Sequence, residues 1–449
     1  MVKKLLIAGI VLLAVSSVFA GVMSYVPQNA NFVVLFQNNA TNYDALKGNV
    51  PIFSFLLNDL GLESLVQSSV SNTANSLNLK SSQIWSATLN DFVIFGNENQ
   101  KDVALVMKAD TSVLLKFFQS LIGGQIGSLT ANGKKIQTFT TNGMTLYFYT
   151  DSGYTIASNS TSMIMDALSA NSSKSFSFSI SYPKNAWFEA YWKDLQTAMA
   201  TDVVIPKDGY AYGMISNGIL SIYGKENLDY KDQNLKTQIT SSKPNSISLA
   251  TNQATGDLWV ALDIPNPSAL YDVLKPYVKL QIGSIKNISP KDFVDHLNGK
   301  AFIDMSLLSS NNDFVATIYL AKDLSSYIPE LSKEASATFT WEGHTVLRDD
   351  TIEGTRTTFV YTIFYPDKVV LSNMDPDSSL KYIETGKPAQ NAGNYPSFSS
   401  QIWSNSFLTV YGNVENLIEN MLQYSVDSGI VIQAKYDKSG NLEFQMLVK

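Results

Sequence analysis

The chain has 449 residues, a formal net charge of −7, only 16% charged residues and no cysteine. The lack of thiols excludes disulfides, thiolate metal sites and cysteine nucleophiles. An acidic chain with no basic run excludes nucleic acid, whose backbone demands clustered Lys and Arg. The polar surface has to be built mostly from Ser, Thr, Asn and Gln, and the length suffices for two domain cores.

Residues 1–20 read as a secretory signal peptide. Lys3 and Lys4 precede an apolar stretch from Leu5 to Val15, and Val18-Phe19-Ala20 offers the small-residue cleavage site. The stretch is shorter than the ~20 residues that span a bilayer, and no later segment is long and apolar enough, so no transmembrane span is expected after cleavage. Residues 31–37 form an expected buried strand, and 43–79 a mainly helical region punctuated by Pro51 and Gly61. A hairpin is expected across 89–96 and 102–108. Asp110 and Thr111 cap a helix whose inner face carries Val113, Leu114, Phe117, Phe118 and Leu121, and the glycines of 123–127 stop it. Then 144–168 reads as strand, Asp-Ser-Gly turn, strand and helix. Strand 186–192, a short helix around Leu195 and Met199, and the hairpin 210–223 turned by Ser216-Asn217-Gly218 complete this half.

The polar, mixed-charge stretch 225–245 marks a boundary, after which the order of elements recurs. The grammar of 144–168 returns at 357–383, with Ser372-Asn373 standing where Ser158-Asn159 stood, close to half a chain length later. Residues 257–263 answer the first strand, and 405–411 answer 185–191. Asn266-Pro267 and Asp375-Pro376 are helix starts. The expected fold is α+β, two tandem related halves, each an antiparallel-rich sheet with helices packed on one face. The boundaries are 1–20 for the signal peptide, 21–230 for the first repeat, 231–245 for a linker and 246–449 for the second repeat. One hexapeptide, Ser-Ser-Gln-Ile-Trp-Ser, occurs at Ser81 and Ser399, in places that do not correspond.

A signal peptide, then Pro27-Gln28-Asn29-Ala30 before an apolar strand, then repeated strand-pair and helix units, resembles uncharacterised secreted bacterial envelope proteins of a domain-of-unknown-function type. The resemblance implies export and brings no catalytic residue with it.

Candidate chemistry is sparse. His296 is read as a helix-end residue favoured by the helix dipole, and His344, near Arg348, Asp349 and Asp350, as part of a charged hairpin tip. Asn373–Glu384 has a faint calcium-loop spacing, but the essential glycine is Ser378, and capping by Asp375 explains the residues better. Gly-x-Ser-x-Gly, P-loop, dinucleotide and His-Glu-x-x-His motifs are absent. No catalytic residue, metal or cofactor is therefore expected. Trp187, Glu189, Tyr191 and Trp192 are the candidate ligand-binding residues, because the run is too crowded to face wholly inward. The reading is an exported, periplasmic or cell-envelope protein, non-enzymatic, that binds or scaffolds an envelope partner (protein, lipid or glycan). The alternative is an extracytoplasmic hydrolase with a carboxylate site between the halves.

Overall fold

The computed structural model describes residues 21–97, 101–172, 174–194, 204–255, 257–274, 289–309, 312–353 and 356–449. The expected signal peptide and the helix expected around Leu195 and Met199 lie outside the described residues. The chain divides into two compact units. The first holds the described residues up to 194 and Pro206–Asn227; the second holds Val204, Ile205 and Leu228–Lys449. Each is mixed helix and strand around a large antiparallel sheet.

Strands of the first unit are β1 Phe32–Phe36, β2 Phe92–Asn97, β3 Asp102–Met107, β4 Gln125–Ala131, β5 Lys134–Thr141, β6 Met144–Asp151, β7 Tyr154–Ser158, β8 Phe188–Lys193 and most of β9 Val204–Ser216 and β10 Ile219–Tyr230, whose outer ends, 204–205 and 228–230, belong to the second unit. Their spatial order is β4-β5-β6-β7-β3-β2-β1-β8-β9-β10. Strand alternation puts Val33, Leu35, Val93, Phe95, Ala104 and Val106 on one buried face. The helices are α1 Asn39–Asn49, α2 Leu62–Ser76, α3 Ser81–Thr88, α4 Thr111–Ile122 and α5 Thr161–Ser172. The α5 helix covers the buried face with Met163, Ile164 and Ala167, joined by Val22, Tyr25 and Val26 from the chain's start. Residues Leu115, Phe139 and Phe148 form a second cluster that α4 shares with β5 and β6.

In the second unit the strands are β11 Leu258–Asp263, β12 Leu297–Met305, β13 Phe314–Leu320, β14 Ala337–Trp341, β15 His344–Glu353, β16 Arg356–Phe364, β17 Lys368–Ser372, β18 Leu408–Asn413, β19 Gly429–Tyr436 and β20 Leu442–Val448. They lie in the order β14-β15-β16-β17-β13-β12-β11-β18-β19-β20, the same sequence of steps as in the first unit. Helices α6 Gln233–Ser241, α7 Pro267–Leu274, α8 Pro290–Val294, α9 Ile328–Glu334, α10 Pro376–Thr385 and α11 Val414–Leu422 complete it. Trp259, Ala261 and Phe302 are buried on the inner face, together with Val315, Val346, Ile363 and Val370, against which Tyr382 and Ile383 of α10 pack. Leu320, Leu347 and Phe364, on the opposite face, pack against Ile328 and Leu331 of α9.

The paired motif seen in the sequence has a definite mechanical role. Ser158 Oγ donates to the Val103 carbonyl at 2.7 Å, while Asn159 Oδ1 accepts from the Val103 N–H at 2.9 Å. In the second unit Ser372 Oγ donates to the Phe314 carbonyl at 2.8 Å and Asn373 Oδ1 accepts from the Phe314 N–H at 2.9 Å. Each Ser-Asn pair thus locks the end of one strand onto its neighbour just before a helix begins, satisfying backbone groups that the ladder leaves open. The turn between β6 and β7 is formed by Ser152 and Gly153, both at positive φ (51° and 84°), as a two-residue hairpin of this twist requires.

Three expectations need correction. Helices cover both faces of each sheet and not one, because both alternating sets of strand side chains are apolar: α5 and α10 lie on the inner faces, α4 and α9 on the opposite ones. Gly123 does end α4, but residues 125–127 are already strand rather than only a helix stop: β4 begins at Gln125. The reversal is made at Gly124 (φ 127°), where a Cβ would lie 2.8 Å from the Thr140 carbonyl oxygen. The hexapeptide at Ser81 is helical in α3, whereas the copy at Ser399 follows the 3-10 turn Tyr395–Phe398 and is not helical. The polar stretch before Asn245 contains α6, capped by Asp232, whose carboxylate accepts from the N–H groups of Asn234 and Leu235. Only Leu235 and Ile239 of that helix are buried, an i, i+4 pair too sparse to stand out as an apolar stripe.

Helix α4 provides a direct check on this local chemistry. Asp110 Oδ1 accepts from the N–H groups of Ser112 (2.8 Å) and Val113 (3.3 Å) and from Ser112 Oγ (2.7 Å). The Ser112 hydroxyl bond above all holds its carboxyl below the usual range. Asp110→Ala is expected to cost about 1 kcal/mol in urea denaturation at pH 7. Because the folded pKa is lowered, that difference is complete above the ordinary carboxylate pKa and fades as pH falls through the lowered one.

Candidate functional site

The four residues singled out in the sequence all lie in the first unit, on and just before β8. Trp187 precedes the strand and is buried. Its Nε1 donates to Asn39 Oδ1 at 3.0 Å, and its ring meets Phe36 edge-on at 6.4 Å. Glu189 and Tyr191 share one strand face and Trp192 takes the other. Tyr191 packs on Phe176 at 5.7 Å. The Trp192 Nε1 donates to Glu226 Oε2 at 2.6 Å, and its ring lies over Gly209, where a Cβ would come within 2.5 Å of the indole. The structure brings Glu189 and Tyr191 to the same face and sends Trp192 elsewhere. Each polar atom in this set named so far has a partner supplied from a distant part of the chain.

Glu189 is 6% exposed, and its Oε1 accepts from Gln37 Nε2 at 2.7 Å. Burial pushes its carboxyl above the ordinary value, with the Gln37 bond pulling the other way. Tyr182, Tyr210, Tyr212 and Tyr223 lie in a chain of ring contacts at 5.2–6.4 Å beside it. The Tyr182 hydroxyl donates to the Ala190 carbonyl at 2.6 Å. This is a buried carboxyl in an aromatic setting, with no second acid among its named partners.

The second unit holds a feature that the sequence reading missed: a cavity of about 330 Å³ between α10 and the inner face of the sheet. Its floor is Phe302, Asp304, Val315, Thr317 and Val370; Leu380, Tyr382 and Ile383 of α10 form one wall. Trp341, Tyr319, Tyr365 and Lys368 line it where strands β13–β17 end, and Thr251, Asn252 and Gln253 close the remaining side. Asp304, 2% exposed, accepts at Oδ2 from the Thr255 N–H at 2.7 Å. The Tyr382 hydroxyl lies near Asp304 and Thr255 without a well-formed hydrogen bond to either, and burial above all raises its pKa. The Tyr319 hydroxyl is fixed by Asn252 Nδ2 at 2.8 Å, and Trp341 Nε1 by Asp377 Oδ1 at 2.9 Å. The Tyr365 ring meets the His344 ring at 4.2 Å and the Lys368 ammonium at 5.0 Å. His344, read as part of a charged tip, therefore buttresses an aromatic wall of the cavity. His296 sits just past α8, its Nδ1 2.7 Å from the Asp292 carbonyl oxygen and its ring edge-on to Tyr327.

Mixed apolar and aromatic walls with a few fixed polar groups are the usual make-up of small-ligand sites, as is this volume. One carboxylate and one ammonium line the cavity, with no paired acids for acid–base work. Among the described residues no group of three or more His, Asp or Glu is placed to hold a metal ion, and no helix is long and apolar enough to cross a membrane.

No protein-family model matches the chain, and no curated protein matches its sequence. Among solved structures it is similar to crystal forms I and III of TP0453, at 9% and 13% identity. These cover 44% and 46% of this chain and 76% and 79% of the other, with TM-scores of 0.28 and 0.27. It is also similar to a protein of unknown function from the DUF3598 family of Nostoc punctiforme, at 9% identity, covering 72% of this chain and 93% of that one, with a TM-score of 0.13. Likeness at this level assigns neither a family nor an activity.

The buried acid of β8 generates a pH test. Its folded pKa is raised, so the protein binds the Glu189 proton more tightly folded than unfolded, and stability falls as pH climbs through that interval. Glu189→Gln is expected to be more stable than the parent at pH 7, with the two converging as pH is lowered towards the ordinary carboxylate value. Paired urea titrations across that range check this.

Proposed function

We propose that this is an exported bacterial cell-envelope protein built from two tandem related halves, and that it is a non-enzymatic binding protein whose ligand sits in the cavity of the second unit. The shared strand order and the matching Ser-Asn locks support the repeat. Further backbone bonds recur in step: Gln37 N–H to the Trp187 carbonyl and Asp263 N–H to the Phe407 carbonyl; Lys193 N–H to the Asn31 carbonyl and Asn413 N–H to the Asp257 carbonyl. Export rests on the sequence of residues 1–20, and N-terminal sequencing of the mature protein is expected to begin at Gly21.

The observation that carries the binding reading is the cavity lined by Trp341, Tyr365, Lys368 and Tyr382. A concave site of this size, with aromatic walls and a few fixed polar groups, has the make-up of a small-ligand site. Thr317→Trp places an indole in the cavity from its floor. The protein purified from envelope extracts is expected to carry or accept a small molecule in one-to-one ratio by native mass spectrometry, and Thr317→Trp to lose it. A parent protein that never carries a small molecule, or a Thr317→Trp variant that keeps one, contradicts the reading.

A further inference from the structure

The first unit answers a question that the second leaves open: what shape of group fills the space under the helix. Tyr25 is 1% exposed, its ring 5.5 Å from that of Tyr154, and its hydroxyl donates to Asp151 Oδ2 at 2.7 Å. The ring is presented by a 3-10 turn, Met23–Tyr25, in which the Val26 N–H bonds to the Met23 carbonyl (3.1 Å) and the Val26 carbonyl accepts from the Phe176 N–H (2.8 Å). The second unit repeats this frame. The Asn252 N–H bonds to the Leu249 carbonyl (3.0 Å), and the Asn252 carbonyl accepts from the Ala389 N–H (2.9 Å). The residue in Tyr25's place is therefore Thr251, and Thr251 lines the cavity.

The groups around the ring also change in step. Tyr154 opens β7 and Lys368 opens β17, each the same number of residues before its Ser-Asn lock. Counting back equally, the place of Asp151 is taken by Tyr365, whose N–H bonds to the Lys368 carbonyl at 2.9 Å. The carboxylate that meets the phenol hydroxyl in the first unit is thus absent from the second, and the neighbouring ring of Tyr154 gives way to the Lys368 ammonium, which lines the cavity. A cation favours an anionic substituent over a hydroxyl donor.

We propose that the cavity of the second unit binds a small monocyclic aromatic carboxylate, its ring seated as Tyr25 is seated in the first unit and its carboxylate paired with Lys368. This rests on the binding reading above. The volume agrees, since roughly 150 Å³ accommodates a benzene ring and the cavity offers about 330 Å³. Thr251 and Lys368 set the specificity: one leaves the ring slot empty, the other reads the charge.

The test is isothermal titration of the full mature chain with 4-hydroxybenzoate, with benzyl alcohol and glucose as comparison probes. The expected result is saturable one-to-one binding of 4-hydroxybenzoate, at least about tenfold tighter than benzyl alcohol. Thr251→Tyr, which supplies the ring in cis, abolishes it. Lys368→Ala weakens it about tenfold. Circular dichroism matching the parent confirms that each variant is folded. Failure of 4-hydroxybenzoate to bind, or binding indifferent to Thr251→Tyr and Lys368→Ala, overturns the proposal. If glucose binds instead and Thr317→Trp blocks it, the aromatic assignment falls while the binding reading stands. If native mass spectrometry of the extracted protein also finds no ligand that Thr317→Trp removes, both fall.

Discussion

In each unit one constraint governs the rest: a strand pair must be fixed in register before a helix can be laid across the sheet. Ser158-Asn159 and Ser372-Asn373 do this by giving four side-chain bonds per lock, counting those from Asn159 and Asn373 Nδ2 to the Lys101 and Asn312 carbonyls and from the next residue's N–H to the serine oxygen. A slip of one residue would turn every side chain of the locked strand to the opposite face. Because the lock stands directly ahead of α5 and α10, it also sets the height at which each helix crosses the sheet.

What lies beneath the helix is then decided by single residues. In the first unit Val22, Tyr25 and Val26 fill the space, and Tyr25 keeps its hydroxyl satisfied through Asp151. In the second unit a threonine and an asparagine occupy the corresponding turn, and the space stays open. The asymmetry is a change of side-chain volume and charge within one backbone frame, with no change of strand order. Buried polar groups follow the same logic. Gln433 donates through Nε2 to Ser406 and Thr409 and accepts from Gln445 on the inner face of the second sheet, where the first sheet carries its Glu189 and Gln37 pair. Satisfied networks of this kind specify a unique packing.

Much of the scaffold was legible in the sequence because local signals governed it. Asp110 and Asp375 accept from helix-start N–H groups as their spacing implied, and Ser152-Gly153 makes the turn its composition implied. The two Ser-Asn pairs were legible because both answer the same backbone demand, each at a strand end just ahead of a helix. Long-range features were not legible. The crowding of Trp187, Glu189, Tyr191 and Trp192 implies a run that does not face wholly inward, and Trp192 takes the other strand face, but the partners Asn39, Gln37 and Glu226, which reach these residues from far along the chain, leave no local trace. The same six residues form α3 at Ser81 and a turn at Ser399, so tertiary context overrides local propensity there. Nor does a threonine at 251 announce a cavity. That appears only when the residue is set against Tyr25 in the matching frame.

The claim that one slot is filled and its counterpart is open can be tested without choosing a ligand. Removing a ring from a filled slot leaves a cavity, whereas adding one to an open slot does not overpack it. Tyr25→Thr is predicted to lower the unfolding free energy in urea by about 3 kcal/mol, and Thr251→Tyr to leave it within about 1 kcal/mol of the parent. A Tyr25→Thr variant as stable as the parent, or a Thr251→Tyr variant destabilised by more than about 2 kcal/mol, would contradict it.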